Sequence, residues 1–245
     1  MTPLALDDTL VHVAENRLGT LLQAQHLGTL PTDGQTEITR IMRTLSGRPG
    51  PAQLVLMAGL QGSRKTTIAR ALEARGFLRF SPDERVFEAH GHYGRDFPRG
   101  EYRVREQPIL EEVAAEAQRA LLSGRDVVVD HGFWTTAERQ EWRRLGEEAG
   151  AAVTLVYLPG THEERWERIK ERNQQTYDDP NAMYFSEEDL RRHAARFQPP
   201  GTDEPHITFT GDLDPVLRAL EPSPRPAPRD TAKSESPNSV IKGQD

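Results

Sequence analysis

Residues 54–70 read Leu-Val-Leu-Met-Ala-Gly-Leu-Gln-Gly-Ser-Arg-Lys-Thr-Thr-Ile-Ala-Arg: an apolar run, a glycine-bearing turn and the start of a helical pattern. The turn is nearly the phosphate-binding loop G-x-x-x-x-G-K-[ST]. In that loop backbone N–H groups surround a nucleotide's phosphates, a lysine reaches the β and γ groups, and a hydroxyl meets magnesium. Gly59, Lys65 and Thr66 stand on schedule, and Gly62, Ser63, Arg64 and Thr67 complete the candidate cradle. Arg64 takes the place of the motif's second glycine. Glycine there permits a bend that a residue with a Cβ adopts only with strain of ~1–3 kcal/mol. A guanidinium can instead contact the phosphates and offset part of that cost. The loop predicts a site for ATP and Mg2+, and leaves two outcomes for Arg64, a working loop or a weakened one.

The rest of the chain supplies the frame such a loop needs. Short apolar strands are expected at 54–59, 77–80, 127–130, 153–158 and 206–210, and helical periodicity follows most of them. One helix carries Ile109, Val113, Ala117 and Leu121 with Pro108 in its first turn, and 135–138 and 161–164 read as capping boxes. This alternation predicts a doubly wound α/β domain with a mainly parallel sheet over residues 51–220. Ahead of it, Leu10, Val11, Leu18, Leu21 and Leu22, and then 35–45, predict a helical hairpin in an N-terminal extension over residues 1–50. That hairpin would pack against the domain, a protein partner or a second copy, or else form a substrate-specifying cap. Residues 221–245, rich in Pro, Ser and charge, predict a disordered tail. The segment 90–100 is a candidate substrate lip, and 174–184 a candidate mobile lid.

Composition narrows the setting. A net charge of −7 argues against a surface adapted to duplex DNA. The chain has no cysteine, no apolar run approaching ~20 residues, and Asp7 and Asp8 where an export signal would need positive charge. A cytoplasmic protein that does not enter membranes is the expectation. His90 and His92 lack a second ligand pair at zinc-binding spacing.

Five segments in order resemble the P-loop kinases and AAA-type ATP-binding proteins of the zeta-toxin and polynucleotide-kinase-like group. They are the loop 59–67, Ser81-Pro82-Asp83-Glu84, Val-Val-Val-Asp130-His-Gly-Phe-Trp134 with Ala-Glu-Arg139, Arg168-Ile-Lys-Glu-Arg172-Asn173, and Phe197-Gln-Pro-Pro200 with Asp203-Glu204. The likeness spans about residues 52–220 and implies a P-loop NTPase fold of the nucleotide-kinase type, with ATP-dependent phosphoryl transfer to a hydroxyl. It places Asp83 as the general base, which requires hydrogen-bond reach of the acceptor hydroxyl; the alternative is an aspartate that only favours a helix start. Asp130 would hold magnesium with Thr66, or else cap a loop. Arg168 and Arg172, four apart on one helix face, would cover developing charge beside Lys65, or else pair with Glu164 and Glu167 on the surface. Phe133 is expected to pack in the core, with Trp134 equally suited to packing or to stacking on a substrate. The relatives' Arg three positions beyond the base is Val86 here, which leaves Arg85 without an assigned role.

Together these residues point to a kinase that moves the ATP γ-phosphoryl group to a hydroxyl of a small or nucleotide-like molecule. A nucleotide-binding sensor that has lost catalysis through Arg64, and a nucleic-acid 5′-end kinase, are the competing readings.

Overall fold

A computed structural model of the chain describes residues 8–45, 47, 50–174 and 184–221. The expected tail, from residue 222, and residues 175–183 of the expected lid lie outside the described residues. The helical hairpin is α1 (Asp8–His26) and α2 (Gly34–Leu45). After it come β1 (Gln53–Ala58), α3 (Lys65–Glu73), β2 (Leu78–Phe80), α4 (Pro82–His90), α5 (Tyr102–Leu122), β3 (Val127–Val129) and α6 (Thr136–Glu148). The chain continues through β4 (Ala152–Tyr157), α7 (His162–Asn173), α8 (Glu187–Ala194), β5 (Ile207–Thr208) and α9 (Asp214–Leu220).

The five strands form one parallel sheet in the order β2-β3-β1-β4-β5. Side chains alternate across a strand, so the apolar runs divide between two faces. Leu54, Leu56, Val127 and Val129 face one way and are covered by Val113, Ala117 and Leu121 of α5 and Trp142 of α6. Val55, Met57, Val128 and Val156 face the other way, under Ile68 and Leu72 of α3 and Val216 of α9. Chain order reverses between β1 and β3, and ligands of open α/β sheets bind in the crevice at the carboxyl ends of such a pair. The phosphate-loop candidate leaves β1 there, and Asp130 leaves β3 beside it.

One local expectation is corrected. Pro108 lies inside α5 rather than in its first turn, because the helix begins six residues earlier at Tyr102. Tyr102 fixes that earlier start by packing edge-on against Tyr93, with ring centres 5.4 Å apart, and by donating its hydroxyl to Asp83. The carbonyl that loses its donor to the proline belongs to Val104, a residue 75 % exposed. The helix start offered as the alternative for Asp83 is present: α4 begins immediately after β2. Ser81 caps it by accepting from Glu84 N at 3.4 Å, Pro82 fills the first position, and Asp83 therefore sits in the first turn of a helix.

The hairpin is tied to the sheet by a buried ion pair. Arg43 donates to Asp126 Oδ1 at 2.8 Å, to Gly124 O at 2.8 Å and to Gly50 O at 2.9 Å, while Asp126 Oδ1 also accepts from Gln53 N at 2.9 Å. One guanidinium thereby links α2, the turn after α5 and the first residue of β1.

Among the described residues, Arg64 is the only non-glycine with a left-handed backbone, at φ 73° and ψ 22°. The bend that glycine normally makes before α3 is therefore retained, with the Cβ strain that accompanies it.

Arg43→Ala takes the neighbouring cation from buried Asp126 while its bond from Gln53 N remains, and should lower unfolding free energy by about 3–5 kcal/mol. Arg17→Ala, which breaks the exposed Arg17–Glu37 pair, should cost less than about 1 kcal/mol in the same urea titration. Arg64→Gly and Arg64→Ala both lose the guanidinium, but only glycine is at ease at this φ. The glycine variant should be the more stable of the two by about 1–2 kcal/mol.

Candidate active site

The loop between β1 and α3 packs closely on the Ser63 hydroxyl and on the backbone of α7. A Cβ on Gly59 would stand 2.6 Å from Ser63 Oγ, and one on Gly62, whose φ is +76°, would stand 2.7 Å from the Arg165 carbonyl oxygen. Only glycine fits at either position. Lys65 Nζ donates back across the loop to Leu60 O at 3.0 Å. Burial lowers the Lys65 pKa; Asp130 and Asp83 act to keep it protonated, and Arg172 and Arg165 act with the burial. Ser63 Oγ and Gln61 Oε1 are buried without hydrogen-bond partners among the described residues. A buried hydroxyl left unpaired at the N-terminus of α3 fits an anionic group such as a phosphate. Arg64 and Thr67 lie exposed on either side of Lys65 and Thr66.

Thr66 and Asp130, the two candidate magnesium ligands, come together: Thr66 Oγ1 donates to Asp130 Oδ1 at 3.3 Å. The second Asp130 oxygen is held by Arg79 of β2, at 2.7 and 3.1 Å. Arg79 also makes a two-pronged contact with Glu84 at 2.7 and 2.9 Å. Burial raises the Asp130 pKa, and the Arg79 hydrogen bonds and the Lys65 charge oppose it. The carboxylate thus joins α3, β2 and β3 at the crevice. Its hard oxygen and the threonine hydroxyl are the donor types that magnesium takes.

Asp83 and Lys65 both line a cavity of about 500 Å³, and the Asp83 charge acts on Lys65. Tyr102 donates its hydroxyl to Asp83 Oδ1. Burial, followed by the Asp83 and Glu106 charges, carries the tyrosine pKa well above its usual value, so it remains a donor. Behind Asp83 lies His131, whose Nε2 is 2.9 Å from Glu138 Oε1 and whose Nδ1 is 3.8 Å from Glu106 Oε1. Burial disfavours the charged ring, yet the Glu138 hydrogen bond and the charges of Glu106, Glu138 and Asp83 raise its pKa to about 9. Burial raises Glu106 to about 7 against the pull of His131. Glu138 also accepts from Trp134 N at 2.9 Å, which fixes the entry to α6. Asp83, Glu106 and His131 can offer ligand atoms within 4.8 Å of one another, a second group capable of holding a cation.

Helix α7 lies against the loop. Arg168 donates to Gly62 O at 2.9 Å, and the Arg172 guanidinium sits 5.6 Å over the ring of Phe185. Neither makes the surface pair allowed by sequence spacing: Glu164 caps the helix at Thr161, and Glu167 pairs with Lys170. Arg165 joins them, its Nε buried and unpaired among the described residues. The other assignments also find places. Phe133 is fully buried against Trp142, Trp134 forms part of the cavity wall with His193 4.9 Å away, and Arg85 pairs with Glu116 at 2.8 Å. His90 and His92 stand apart from the cation-holding group, His92 N being held by Asp96 at 2.8 Å.

Sequence reading did not single out Arg79, Tyr102, Glu106 or Glu138 as site residues. Arg79 is a charged residue in a three-residue strand, a weak hint of a buried partner. Tyr102 and Glu106 are four apart and share a face of α5, but nothing in the sequence places that face over Asp83. The segments 139 and 197–204 carry a clamp rather than chemistry: buried Arg139 donates to both Glu204 oxygens at 2.7 Å and to Gln198 O at 2.8 Å.

Among the described residues no helix is long and apolar enough to cross a membrane. The chain is similar to a UPF0200 protein of Thermococcus kodakarensis, with 30% identity over 143 residues, covering 55% of this chain and 75% of that relative. In structure it is similar to a Chloroflexus aurantiacus protein provisionally assigned as a kinase, at TM-score 0.55 and 20% identity, over 69% of this chain and 96% of that one. Kti12 of Chaetomium thermophilum, solved with ADP-AlF3, superposes at TM-score 0.50 with 17% identity, over 69% of this chain and 94% of the other. A sugar kinase from a Janibacter species does so at TM-score 0.50 with 19% identity, over 70% and 93%. At these identities the superpositions speak for a P-loop kinase-like fold. The model of the AAA domain family matches residues 54–200, and with its phosphate loop, parallel sheet and Asp130 in place the chain belongs to that family.

Proposed function

We propose that the protein is a cytoplasmic ATP-dependent kinase that phosphorylates a hydroxyl of a small molecule. The observation that carries this reading is the cavity shared by Lys65 and Asp83: a cation suited to the terminal phosphates and a carboxylate suited to a hydroxyl line one space. Gly59, Gly62, Ser63, Arg64, Lys65, Thr66 and Thr67 would cradle the phosphates. Thr66 and Asp130 would hold Mg2+, which when bound neutralises charge on the β and γ oxygens.

Asp83 takes the acceptor proton as the acceptor oxygen bonds to the γ-phosphorus and the bond from that phosphorus to the β–γ bridging oxygen breaks, releasing ADP. Tyr102 supports the role by donating to Oδ1, which leaves Oδ2 to receive the proton. Lys65 balances the charge gathering on the transferred group, and Arg168 and Arg172 are placed to assist from α7. Such transfer depends chiefly on positioning and charge neutralisation, and these residues supply both. The arrangement accords with the resemblance to the zeta-toxin and polynucleotide-kinase-like group. The bounded cavity, in a chain of net charge −7, favours a small acceptor over a nucleic-acid end, which would call for a basic groove with stacking aromatics.

Purified protein with γ-labelled ATP, magnesium and a panel of oligonucleotides, nucleosides, sugars and amino sugars should label a small acceptor. Asp83→Asn should cut transfer by about 10²–10⁴-fold with ATP affinity little changed, whereas Lys65→Ala should weaken ATP binding as well. Undiminished transfer in Asp83→Asn would remove Asp83 as the base. ATP binding with no transfer to any acceptor would favour a sensor instead.

A further inference from the structure

Beside Asp83 the acceptor cavity contains a carboxyl group that the transfer step does not use. Glu106 lies one turn along α5 from Tyr102, lines the cavity, and is only 13 % exposed. Its nearest cation is His131 Nδ1 at 3.8 Å, beyond hydrogen-bond reach, and the other nitrogen of that ring faces Glu138, while the Arg103 charge acts on it more weakly. Among the described residues no donor reaches the Glu106 carboxylate. The carboxylate faces the cavity, where a ligand's donor can take the place of water.

The surroundings say what would satisfy it. Asp83 and Glu138 add negative charge beside it, whereas Glu111 and Glu141 line the cavity from exposed positions where solvent screens them. Of the cations, Lys65 belongs to the phosphate end and His131 is enclosed by two glutamates. Arg103 and Arg196 are exposed, where solvent screens them. Tyr93, Trp134 and Phe185 supply aromatic walls, which attract cations across their faces. A phosphate or carboxylate on the acceptor would meet this acidic floor at a penalty. A neutral hydroxyl would fill the hydrogen bond and leave the clustered charge uncompensated.

We infer that the acceptor is an alcohol bearing a protonated amine, with the ammonium bound by Glu106 and the hydroxyl presented to Asp83. This rests on the phosphotransfer reading of the site and names its substrate class. Glu106 acts in recognition, so its effect falls on the amine-bearing substrate and not on nucleotide binding.

The test uses two matched charge series: glucosamine, glucose and gluconate; and 2-aminoethanol, ethylene glycol and glycolate. Calorimetric titration of the full chain, with magnesium and a non-hydrolysable ATP analogue present, should rank the amine first and the anion last in at least one series. The amine should bind about tenfold or more tighter than its neutral counterpart, as a charge-assisted hydrogen bond does relative to a neutral one. Glu106→Gln keeps the shape and removes the charge; it should reduce that ratio to less than about threefold, leaving affinity for the neutral alcohol and the nucleotide analogue unchanged. In turnover the same variant should raise KM for the amine with little change in kcat. A merely structural role would weaken all members of a series alike.

Equal binding across both series, tighter binding of the anions, or an amine preference unchanged in Glu106→Gln would each overturn the inference. So would manganese or magnesium binding that disappears in Glu106→Gln while no amine preference exists, since a metal would then be the occupant. Amine preference without phosphate transfer would instead sink the kinase reading and leave cation recognition by Glu106 standing, whereas transfer to neutral or anionic alcohols as efficient as to amines would do the reverse.

Discussion

The Asp130 carboxylate is the junction on which the crevice depends. One oxygen accepts from Thr66 at the start of α3 and the other from Arg79 in β2, while the residue itself ends β3. Three elements that meet nowhere in the sequence are thereby held in register at the carboxyl edge of the sheet. Arg79 carries the tie onward to Glu84 in the first turn of α4. The base candidate Asp83 precedes Glu84 directly, so its position follows from the same network. Removing one partner from so buried a set would expose the others as uncompensated charges.

From this junction the site divides electrically. Lys65 and the three arginines of α7 gather around the phosphate loop, where Arg168 and Gly62 are in direct contact. In the same cavity Asp83, Glu106 and Glu138 surround His131, and their combined charge keeps that ring protonated despite burial. A kinase needs such a division: anionic phosphates at one end, and at the other a carboxylate free to take a proton. On the proposed reading the same division would set a preference among acceptors, because acidic groups discriminate by charge before shape.

Much of this was legible in the sequence. The loop, its strand and its helix were set by local spacing, and the Val127–Val129 run closing on Asp130 gave the second strand of the crevice its address. The capping box at Thr161 was legible for the same reason, being written in four consecutive residues. Long-range contacts were not. Tyr102 extended α5 past Pro108 because of aromatic packing and its bond to Asp83, an interaction across 19 positions that no window contains. Arg79 and Asp130 are 51 positions apart, and only the pairing of β2 with β3 makes them neighbours. Arg64 shows the opposite case: its sequence signalled a backbone conflict, and the structure shows the left-handed φ being adopted rather than avoided.

A crystal structure with magnesium, ADP and aluminium fluoride tests the central claim most directly, because the fluoride stands where the transferred phosphoryl group would be. The account predicts Lys65 in contact with the fluoride and the free Asp83 oxygen within ~3 Å of the position of the attacking oxygen, or one water away. A fluoride group turned away from the cavity, with Asp83 beyond the reach of any acceptor oxygen in line with it, would contradict the account.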